Sequence, residues 1–208
     1  MKVDGNRFRA RRFKTFLDVL DRTGVSGRPI KVLDIGGTES YWRALEDQWR
    51  GRDLDITLVN LSVEPRDEDM FHHRAGDACN LDFPDDAFDV VHSNSVIEHV
   101  GHWEQMARMA GEVRRLAQHY YVQTPNFWFP VEPHYRSLFY HWLPESMRAA
   151  RLVGKQRGFR NAPDFDAAMR DIQTVVLLTG RQMQALFPDG KLMRERVGPF
   201  TKSLIMVR

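Results

Sequence analysis

The sequence predicts an α/β fold, a doubly wound and mostly parallel seven-stranded sheet that ends in a C-terminal antiparallel strand. Three observations predict it. Short apolar runs alternate with segments of helical periodicity up to Pro125, the first of these runs ends in the pair Gly36-Gly37, and the last two runs are separated only by Gly198-Pro199-Phe200. Alternating strands and helices are typical of parallel sheets, whereas so short a connection indicates an antiparallel pair.

The first part of the chain supplies most of this sheet. A helix is predicted first because Phe8, Phe13, Phe16, Leu17 and Leu20 recur at steps of three and four residues. The next apolar runs have the length of buried strands, and an acidic connection around Glu64–Asp69 is predicted as a polar crossover. The predicted order is helix Arg7–Arg22, strand Ile30–Ile35, helix Ser40–Trp49, strands Asp55–Asn60, His72–Gly76 and Phe88–His92, helical segments Ser95–His99 and Glu104–Ala117, and strand His119–Gln123.

The segment Asn126–Trp142 differs from what precedes it, because it is rich in aromatic side chains and contains Pro130 and Pro133. Prolines exclude a regular helix at its start, but its second half, from Tyr135, is predicted to be helical. The remaining predicted elements are helices Leu143–Leu152, Pro163–Arg170 and Gly180–Phe187 and strands Lys191–Val197 and Lys202–Val207.

Composition limits the class of protein. The chain has 208 residues, a formal charge of +2 and one cysteine, Cys79. The length fits one domain over 1–208, and the charge is too small to indicate nucleic acid. We find no secretory leader and no apolar run of membrane-spanning length, so the cytoplasm is the expected location, and a homodimer is one candidate assembly. The predicted parts are an N-terminal helix (1–28), a cofactor-binding core (30–125), a substrate or lid segment (126–160), and C-terminal helices with the strand pair (161–208).

The loop Asp34-Ile35-Gly36-Gly37-Thr38 follows the first predicted strand. Glycines let the backbone turn sharply and approach a ligand closely. This loop would lie at the carboxyl edge of the sheet, where open α/β folds bind their ligands. An ordinary tight turn has the same pattern, so the loop alone leaves both interpretations open.

Three segments, Val32–Thr38, Gly76–Pro84 and Phe88–Val100, resemble the class I S-adenosylmethionine-dependent methyltransferases, in particular their type 11-like small-molecule branch. The resemblance extends from about Ile30 to Pro125. It implies a Rossmann-like sheet, S-adenosylmethionine as the cofactor and methyl transfer as the reaction.

The resemblance also implies roles for individual residues. The first loop of that family surrounds the methionine part of the cofactor, and an acidic residue after the third strand accepts a hydrogen bond from the adenine amino group. Asp77 occupies that acidic position, and Ala78 and Cys79 would offer backbone groups beside it. The other implied cofactor-binding residues are Asp34, Gly36, Gly37, Thr38, Asn60 and Leu61, together with His92, Ser93 and Asn94, which would close over the methionine part.

Two departures from the family pattern affect the cofactor loop. Thr38 and Ser40 stand where the family usually has glycine, and Asn60 stands where it usually has an acid that holds the ribose hydroxyls. An amide can hold a diol, but without the assistance of a charge. The same loop lacks the Gly-x-Gly-x-x-Gly spacing that a dinucleotide needs, so a nicotinamide cofactor is not expected.

Methyl transfer to a hydroxyl requires removal of its proton, and histidine is the base best suited to neutral pH. The family builds its acceptor pocket from the segment after the fifth strand, so the candidates for proton transfer or acceptor binding are His134, His141 and Glu132. Glu132 and these histidines could also ligate a divalent metal ion, although their spacing is not diagnostic.

Several functions stay open at this point. The leading prediction is O-methylation of a small molecule. The aromatic residues after Asn126 either pack the lid onto the sheet or stack on a ring-shaped acceptor such as a sugar, and the resemblance of this stretch to small methyltransferases of saccharide pathways implies a saccharide. The alternatives are a nucleic-acid methyltransferase and a non-catalytic cofactor-binding scaffold. Ser93-Asn94-Ser95-Val96 stands where amino-group methylation of bases would need an Asn/Asp-Pro-Pro-Tyr/Phe stretch, so nucleic acid is not expected as the substrate.

Overall fold

The computed structural model describes the backbone of residues 4–208 and the side chains of residues 8–208, so residues 1–3 of the predicted N-terminal segment lie outside the described part. The helices are α1 (Asp4–Asp21), α2 (Glu39–Arg43), α3 (Glu46–Trp49), α4 (Trp103–Leu116), α5 (Glu145–Leu152), α6 (Phe165–Gln173) and α7 (Gly180–Leu186). The strands are β1 (Ile30–Ile35), β2 (Leu54–Asn60), β3 (Arg66–Glu68), β4 (Phe71–Ala75), β5 (Val90–Asn94), β6 (His119–Pro125), β7 (Val131–Glu132), β8 (Ser137–Leu138), β9 (Lys191–Val197) and β10 (Phe200–Val207). Short 3-10 turns cover Ile97–His99 and Tyr140–Trp142.

The main sheet confirms the predicted α/β class. Its strand order is β3-β4-β2-β1-β5-β6-β10-β9, with β4, β2, β1, β5 and β6 parallel and β10 antiparallel to both β6 and β9. The sheet has eight strands where seven were predicted, because the acidic connection forms the edge strand β3 instead of a simple crossover. All three side chains of β3 are exposed, so it carries no apolar pattern by which a sequence could reveal it.

Helices cover both faces of the sheet. One apolar layer joins α4 and α7 to the strands through residues such as Met109 and Met183, and the other joins α1, α2 and α3 through Phe16, Trp42 and Trp49. The carboxyl ends of β1, β2, β4, β5 and β6 meet at one edge of this three-layer arrangement. No helix among the described residues 4–208 is both long and apolar enough to cross a bilayer.

The predicted helix Ser40–Trp49 is divided into α2 and α3. The indole nitrogen of Trp49 donates to the Trp42 carbonyl at 2.9 Å, and the Leu45 amide donates to the same carbonyl at 3.0 Å. In a continuous helix that carbonyl would accept from residue 46. The side chain therefore completes the end of α2 where the prediction extended a single helix.

The lid segment also differs from its prediction. Residues 135–142 contain strand β8, which pairs with β7 in a short ribbon, and a 3-10 turn instead of a helix. Arg136 and Phe139 have φ of 47° and 55°, a left-handed conformation that interrupts a right-handed helix. The Glu132 carboxylate accepts the Tyr135 amide at 2.5 Å, so a side chain holds this turn. Tyr135 and Tyr140 then pack against α5 and α6 in a separate apolar cluster.

Candidate active site

Two glycines give the loop after β1 its shape. Gly36 has φ +74°, and a Cβ there would lie 2.4 Å from Cγ2 of Val96. A Cβ on Gly37 would lie 1.9 Å from Oδ2 of Asp34. The loop can therefore curl over the Asp34 side chain only because Gly37 lacks a side chain of its own.

Thr38 needs no glycine-like freedom. Its backbone is extended, with φ −132° and ψ 145°, and its hydroxyl accepts the Tyr41 amide at 3.3 Å as the N-cap of α2. Ser40 lies 3.1 Å from the same hydroxyl. Thr38 replaces a glycine of the family because here it caps a helix, a position that favours threonine and serine, and Ser40 lies in the first turn of that helix.

Asp34 is buried at the centre of this loop. Its Oδ2 accepts the indole N–H of Trp42 at 2.7 Å, and its Oδ1 lies 2.7 Å from Nδ1 of His92. His92 is buried and stacks on Tyr121, with ring centroids 5.2 Å apart. His92 thus holds Asp34 in place, and its implied role in closing over the methionine part stays a prediction.

A small inner pocket of about 100 Å³ opens above Asp34. The glycine loop, Tyr41 and Asn94 contribute to its walls. We use the name inner pocket for the space lined by Asp34, Gly36, Gly37, Thr38, Tyr41, His92 and Asn94.

A larger outer pocket of about 530 Å³ continues from Gly36 across the ends of β2 and β4. Its lining includes Gly36, Asn60, Leu61, Asp77, Ala78, Val96 and His99. Leu61 is 77% exposed at its mouth. Because Gly36 lines both pockets, a ligand that fills both must pass this residue.

Asn60 connects the end of β2 to the glycine loop after β1. Its amide nitrogen donates to the Gly37 carbonyl at 2.9 Å. A carboxylate could not make this bond, because it has no proton to donate. The replacement of the family's usual acid by Asn60 therefore has a structural reason. The amide oxygen of Asn60 still offers a hydrogen-bond acceptor.

Asp77 is exposed on the loop after β4, and its Oδ1 accepts the Cys79 amide at 2.9 Å. This bond fixes the turn that presents Asp77 and Ala78 to the outer pocket. The thiol of Cys79 lies on the other side, 3.3 Å from the Gln105 carbonyl of α4. The hydroxyl of Ser93 is also turned away, because it is buried and lies 3.3 Å from the Ile35 carbonyl.

Burial raises the pKa of the Cys79 thiol to about 11. We expect Cys79 in the folded protein to react roughly 100-fold more slowly at pH 8 with 5,5′-dithiobis(2-nitrobenzoate) than a free thiol, because only the thiolate reacts. Unfolding in urea should restore the ordinary rate. Because the chain has a single cysteine, a fast reaction of the native protein would contradict this environment.

A chain of side chains lies beside the outer pocket where the lid begins. Oε1 of the buried Glu132 is 2.7 Å from Nδ1 of His134, and Nε2 of His134 is 3.1 Å from Nε2 of His99. Nδ1 of His99 is in turn 3.2 Å from the Thr174 carbonyl. The structure therefore brings the predicted candidates Glu132 and His134 together and adds His99, which was not among the predicted catalytic residues.

His141 is separate from this chain. Its Nε2 is 2.7 Å from the Phe127 carbonyl, which also accepts the indole N–H of Trp142 at 2.9 Å. Burial lowers the pKa of His141, so its ring favours the neutral form. This histidine connects two parts of the lid segment to each other, and it does not line the outer pocket.

A third space, the lid cavity, has a volume of about 270 Å³ and lies between α1, the ends of β5 and β6, and the lid. Its walls combine apolar rings with two amides, two hydroxyls and two cations. The lining residues are Arg12, Ser95, Gln123, Pro125, Asn126, Phe129, Val131, Pro133, Lys202 and Ser203. Trp128, Phe139 and Trp142 form an aromatic patch on the outer surface of the same lid, each more than 40% exposed.

Comparison with known proteins agrees with this geometry. A family model described as a methyltransferase domain matches residues 7–173. No curated protein matches the chain in sequence.

Several solved structures share the fold. A provisionally named methyltransferase of an antibiotic biosynthesis pathway from Anabaena variabilis has a TM-score of 0.50 and 18% identity over 86% of this chain and 64% of its own. A 1,6-didemethyltoxoflavin-N1-methyltransferase from Burkholderia thailandensis, solved with S-adenosylhomocysteine, has a TM-score of 0.50 and 17% identity over 87% of this chain and 71% of its own. A phosphoethanolamine N-methyltransferase from Haemonchus contortus has a TM-score of 0.53 and 15% identity over 87% and 39%.

The chain spans less than two thirds of the first structures it matches, 64% and 44% of their lengths. At these identities the structural likeness shows the fold alone. The family match, in contrast, covers most of the chain and includes the glycine loop, both pockets and the start of the lid. The chain therefore belongs to the class I S-adenosylmethionine-dependent methyltransferases.

Proposed function

We propose that the protein transfers the methyl group of S-adenosylmethionine to a hydroxyl of a small molecule, with a saccharide as the preferred acceptor class. The methionine part of the cofactor would occupy the inner pocket and the adenosine part the outer pocket. The sulfonium that joins the two parts would then lie beside Gly36, which lines both pockets.

The chemistry of the pockets supports this orientation. The buried Asp34 carboxylate faces the inner pocket, where it can offset the positive charge of the methionine ammonium group. Asp77 is an exposed acceptor at the far end of the outer pocket and suits the adenine amino group. Between them, the amide oxygen of Asn60 can accept a ribose hydroxyl.

One observation carries the proposal that an acceptor meets the methyl group here. The consecutive residues Asn94, Ser95 and Val96 line the inner pocket, the lid cavity and the outer pocket respectively. Ser95 has φ +59°, and its hydroxyl is 3.0 Å from Oε1 of Gln123. A molecule in the lid cavity would therefore lie next to the sulfonium, as an in-line displacement requires.

The size and lining of the lid cavity support a small hydroxylated acceptor. Its volume of about 270 Å³ is slightly below the range of roughly 300–1,000 Å³ that is typical of pockets for drug-sized ligands. Hydroxyl and amide groups of Ser95, Gln123 and Asn126 alternate with the ring of Phe129. Polar groups beside an aromatic face suit a sugar ring better than they suit a purely apolar acceptor.

The reaction breaks the bond from the cofactor's sulfur to the methyl carbon and forms a bond from that carbon to the acceptor oxygen. The products are S-adenosylhomocysteine and a methyl ether, and the hydroxyl proton must leave. In this proposal that proton is accepted by His134, which adjoins the lid-cavity residue Pro133, or by His99, at the wall of the outer pocket. Glu132 orients His134 through their bond of 2.7 Å.

A transfer assay with methyl-labelled S-adenosylmethionine tests this proposal. The acceptor panel should contain mono- and disaccharides, phenols, primary amines such as phosphoethanolamine, and RNA. We expect label in an ether of one of the hydroxyl compounds. Label in an amine or in RNA would contradict the acceptor class, and cofactor binding without transfer to any acceptor would favour a non-catalytic scaffold.

The exposed aromatic patch of the lid gives a separate prediction. If the acceptor extends from the lid cavity across Trp128 and Trp142, whose ring centroids are 6.2 Å apart, then Trp128→Ala should raise KM for the acceptor about 2- to 10-fold, as expected from the loss of one stacking contact. The Kd for S-adenosylhomocysteine should not change. An unchanged KM would show that the patch does not contact the acceptor.

A further inference from the structure

Glu98, His99 and His134 form a compact cluster at the junction of the outer pocket and the lid. Each residue contributes one ligand-type atom, and these three atoms lie within 4.8 Å of one another. Glu98 and His99 come from the 3-10 turn after β5, and His134 comes from the β7–β8 connection. The cluster therefore joins two elements that are distant in sequence.

The hydrogen bonds of the two imidazoles turn one acceptor nitrogen of each ring toward the other. Nδ1 of His134 faces the Glu132 carboxylate and Nδ1 of His99 faces the Thr174 carbonyl, so each Nδ1 carries a proton. The two Nε2 atoms then both present lone pairs, at a separation of 3.1 Å. Two lone pairs at this distance repel one another unless a proton or a metal ion lies between them.

The distance suits a metal ion. Two imidazole nitrogens bound to one ion at about 2.0–2.1 Å lie about 2.9 Å apart in octahedral geometry and about 3.4 Å apart in tetrahedral geometry, and the observed separation falls between these values. Metal-bound histidines typically donate their other N–H to a carboxylate or a backbone carbonyl. His134 and His99 show one instance of each arrangement.

Glu98 provides an independent observation. Its side chain is fully buried, its Oε2 accepts the Thr124 hydroxyl at 3.0 Å, and its Oε1 has no hydrogen-bond partner among the described residues. A buried carboxylate oxygen without a partner is costly, and a cation at the histidine pair would compensate it.

We propose that Glu98, His99 and His134 bind a divalent first-row transition-metal ion through two imidazole nitrogens and one carboxylate oxygen. This donor set favours manganese, iron, cobalt or zinc over magnesium or calcium, which prefer oxygen ligands throughout. The role of the ion rests on the proposed function. An acceptor oxygen in an open coordination position of the ion would lose its proton more readily. His134 would then act as a ligand of the ion instead of as a free base.

A second cluster shows what distinguishes this site. Glu39, Glu68 and His73 also approach one another. There, Glu39 is paired with Arg43, and Glu68 is paired with Arg66 at 2.9 Å. Arginine already compensates both carboxylates, whereas the buried Oε1 of Glu98 has no such partner.

Titration of the tag-free, full-length protein with Co²⁺ tests the proposal directly. We expect one equivalent to bind by calorimetry, with visible d–d absorption bands that report nitrogen ligation, and we expect Mg²⁺ to bind at least tenfold more weakly. His134→Ala and Glu98→Gln should each lose the bands. The matched control His119→Ala removes a histidine at the opposite end of β6 and should keep them.

Absence of Co²⁺ bands in the unmodified protein would overturn the metal site, and so would bands that survive in both His134→Ala and Glu98→Gln. The shared position between the imidazoles would then hold a proton. Because this readout needs no acceptor, metal binding without hydroxyl methylation would contradict the proposed function alone. Methylation that persists after chelation would leave that function intact and contradict the role of the ion.

Discussion

Gly37→Ala is expected to weaken S-adenosylhomocysteine binding by roughly 5- to 150-fold. The new methyl group would lie 1.9 Å from Oδ2 of Asp34, so either the loop or the carboxylate must move. Overpacking of this kind costs about 1–3 kcal/mol, which sets the range in affinity. Moving Asp34 also disrupts its bonds to Trp42 and His92. Calorimetric titration measures the affinity, and urea unfolding measures the accompanying loss of stability.

Gly111→Ala is the matched control for this substitution. Gly111 lies within α4, and a Cβ there would meet nothing within 4 Å. Alanine in a helix is about 0.5–1 kcal/mol more favourable than glycine, so this variant should be slightly more stable and should bind the cofactor normally. If Gly37→Ala binds as well as Gly111→Ala does, the glycine loop does not contact the cofactor.

His134→Ala is expected to reduce the rate of methyl transfer about 10²- to 10⁴-fold, the range that removal of a group acting on a proton typically produces. The Kd for the cofactor should stay within about twofold, because His134 is not among the residues that line the inner and outer pockets. Single-turnover kinetics with the acceptor found in the transfer assay separates the two quantities. An unimpaired rate would remove His134 from the active site.

Glu132→Gln distinguishes positioning from direct participation. Glu132 holds the Tyr135 amide as well as Nδ1 of His134. The amide oxygen of glutamine can keep one of these bonds but cannot supply the negative charge. We expect an intermediate loss of rate in this variant with an unchanged KM for the acceptor, whereas loss of the lid would raise that KM.

The sequence predicted the α/β class and the order of the core elements because apolar residues recur in these elements at the regular spacing of a strand or a helix. Ile30–Ile35 is an apolar run between turn residues, and the structure confirms it as β1. The edge strand β3 could not be predicted in this way, because its side chains are exposed and its hydrogen bonds to β4 carry no apolar signal. The break between α2 and α3 depends on one bond from an indole to a carbonyl.

The site was partly predictable for the same physical reason. Asp34, Gly36 and Gly37 are consecutive or nearly so, so their shared loop is visible in the sequence. The bond from Trp42 to Asp34 and the one from Asn60 to Gly37 depend on how separate elements meet. The bond from Asn60 explains why an amide stands where the family usually has an acid. From the sequence alone, Asn60 was only a departure from the family pattern.

The cluster of Glu98, His99 and His134 shows most clearly what could not be predicted from the sequence. His99 and His134 are 35 residues apart, and no periodicity relates a 3-10 turn after one strand to a ribbon after the next. Glu98 gave no signal of its own either, because an acidic residue on an amphipathic segment is ordinarily solvated. Only the folded chain shows that this carboxylate is fully buried.

The central claim is that the inner and outer pockets together form one cofactor site. Calorimetric titration of the unmodified protein with S-adenosylhomocysteine tests it most directly, with Asp77→Asn measured in parallel. We predict one site per chain and weaker binding in the variant, because an amide accepts the adenine amino group less strongly than a carboxylate does. No heat of binding at millimolar S-adenosylhomocysteine would contradict the claim.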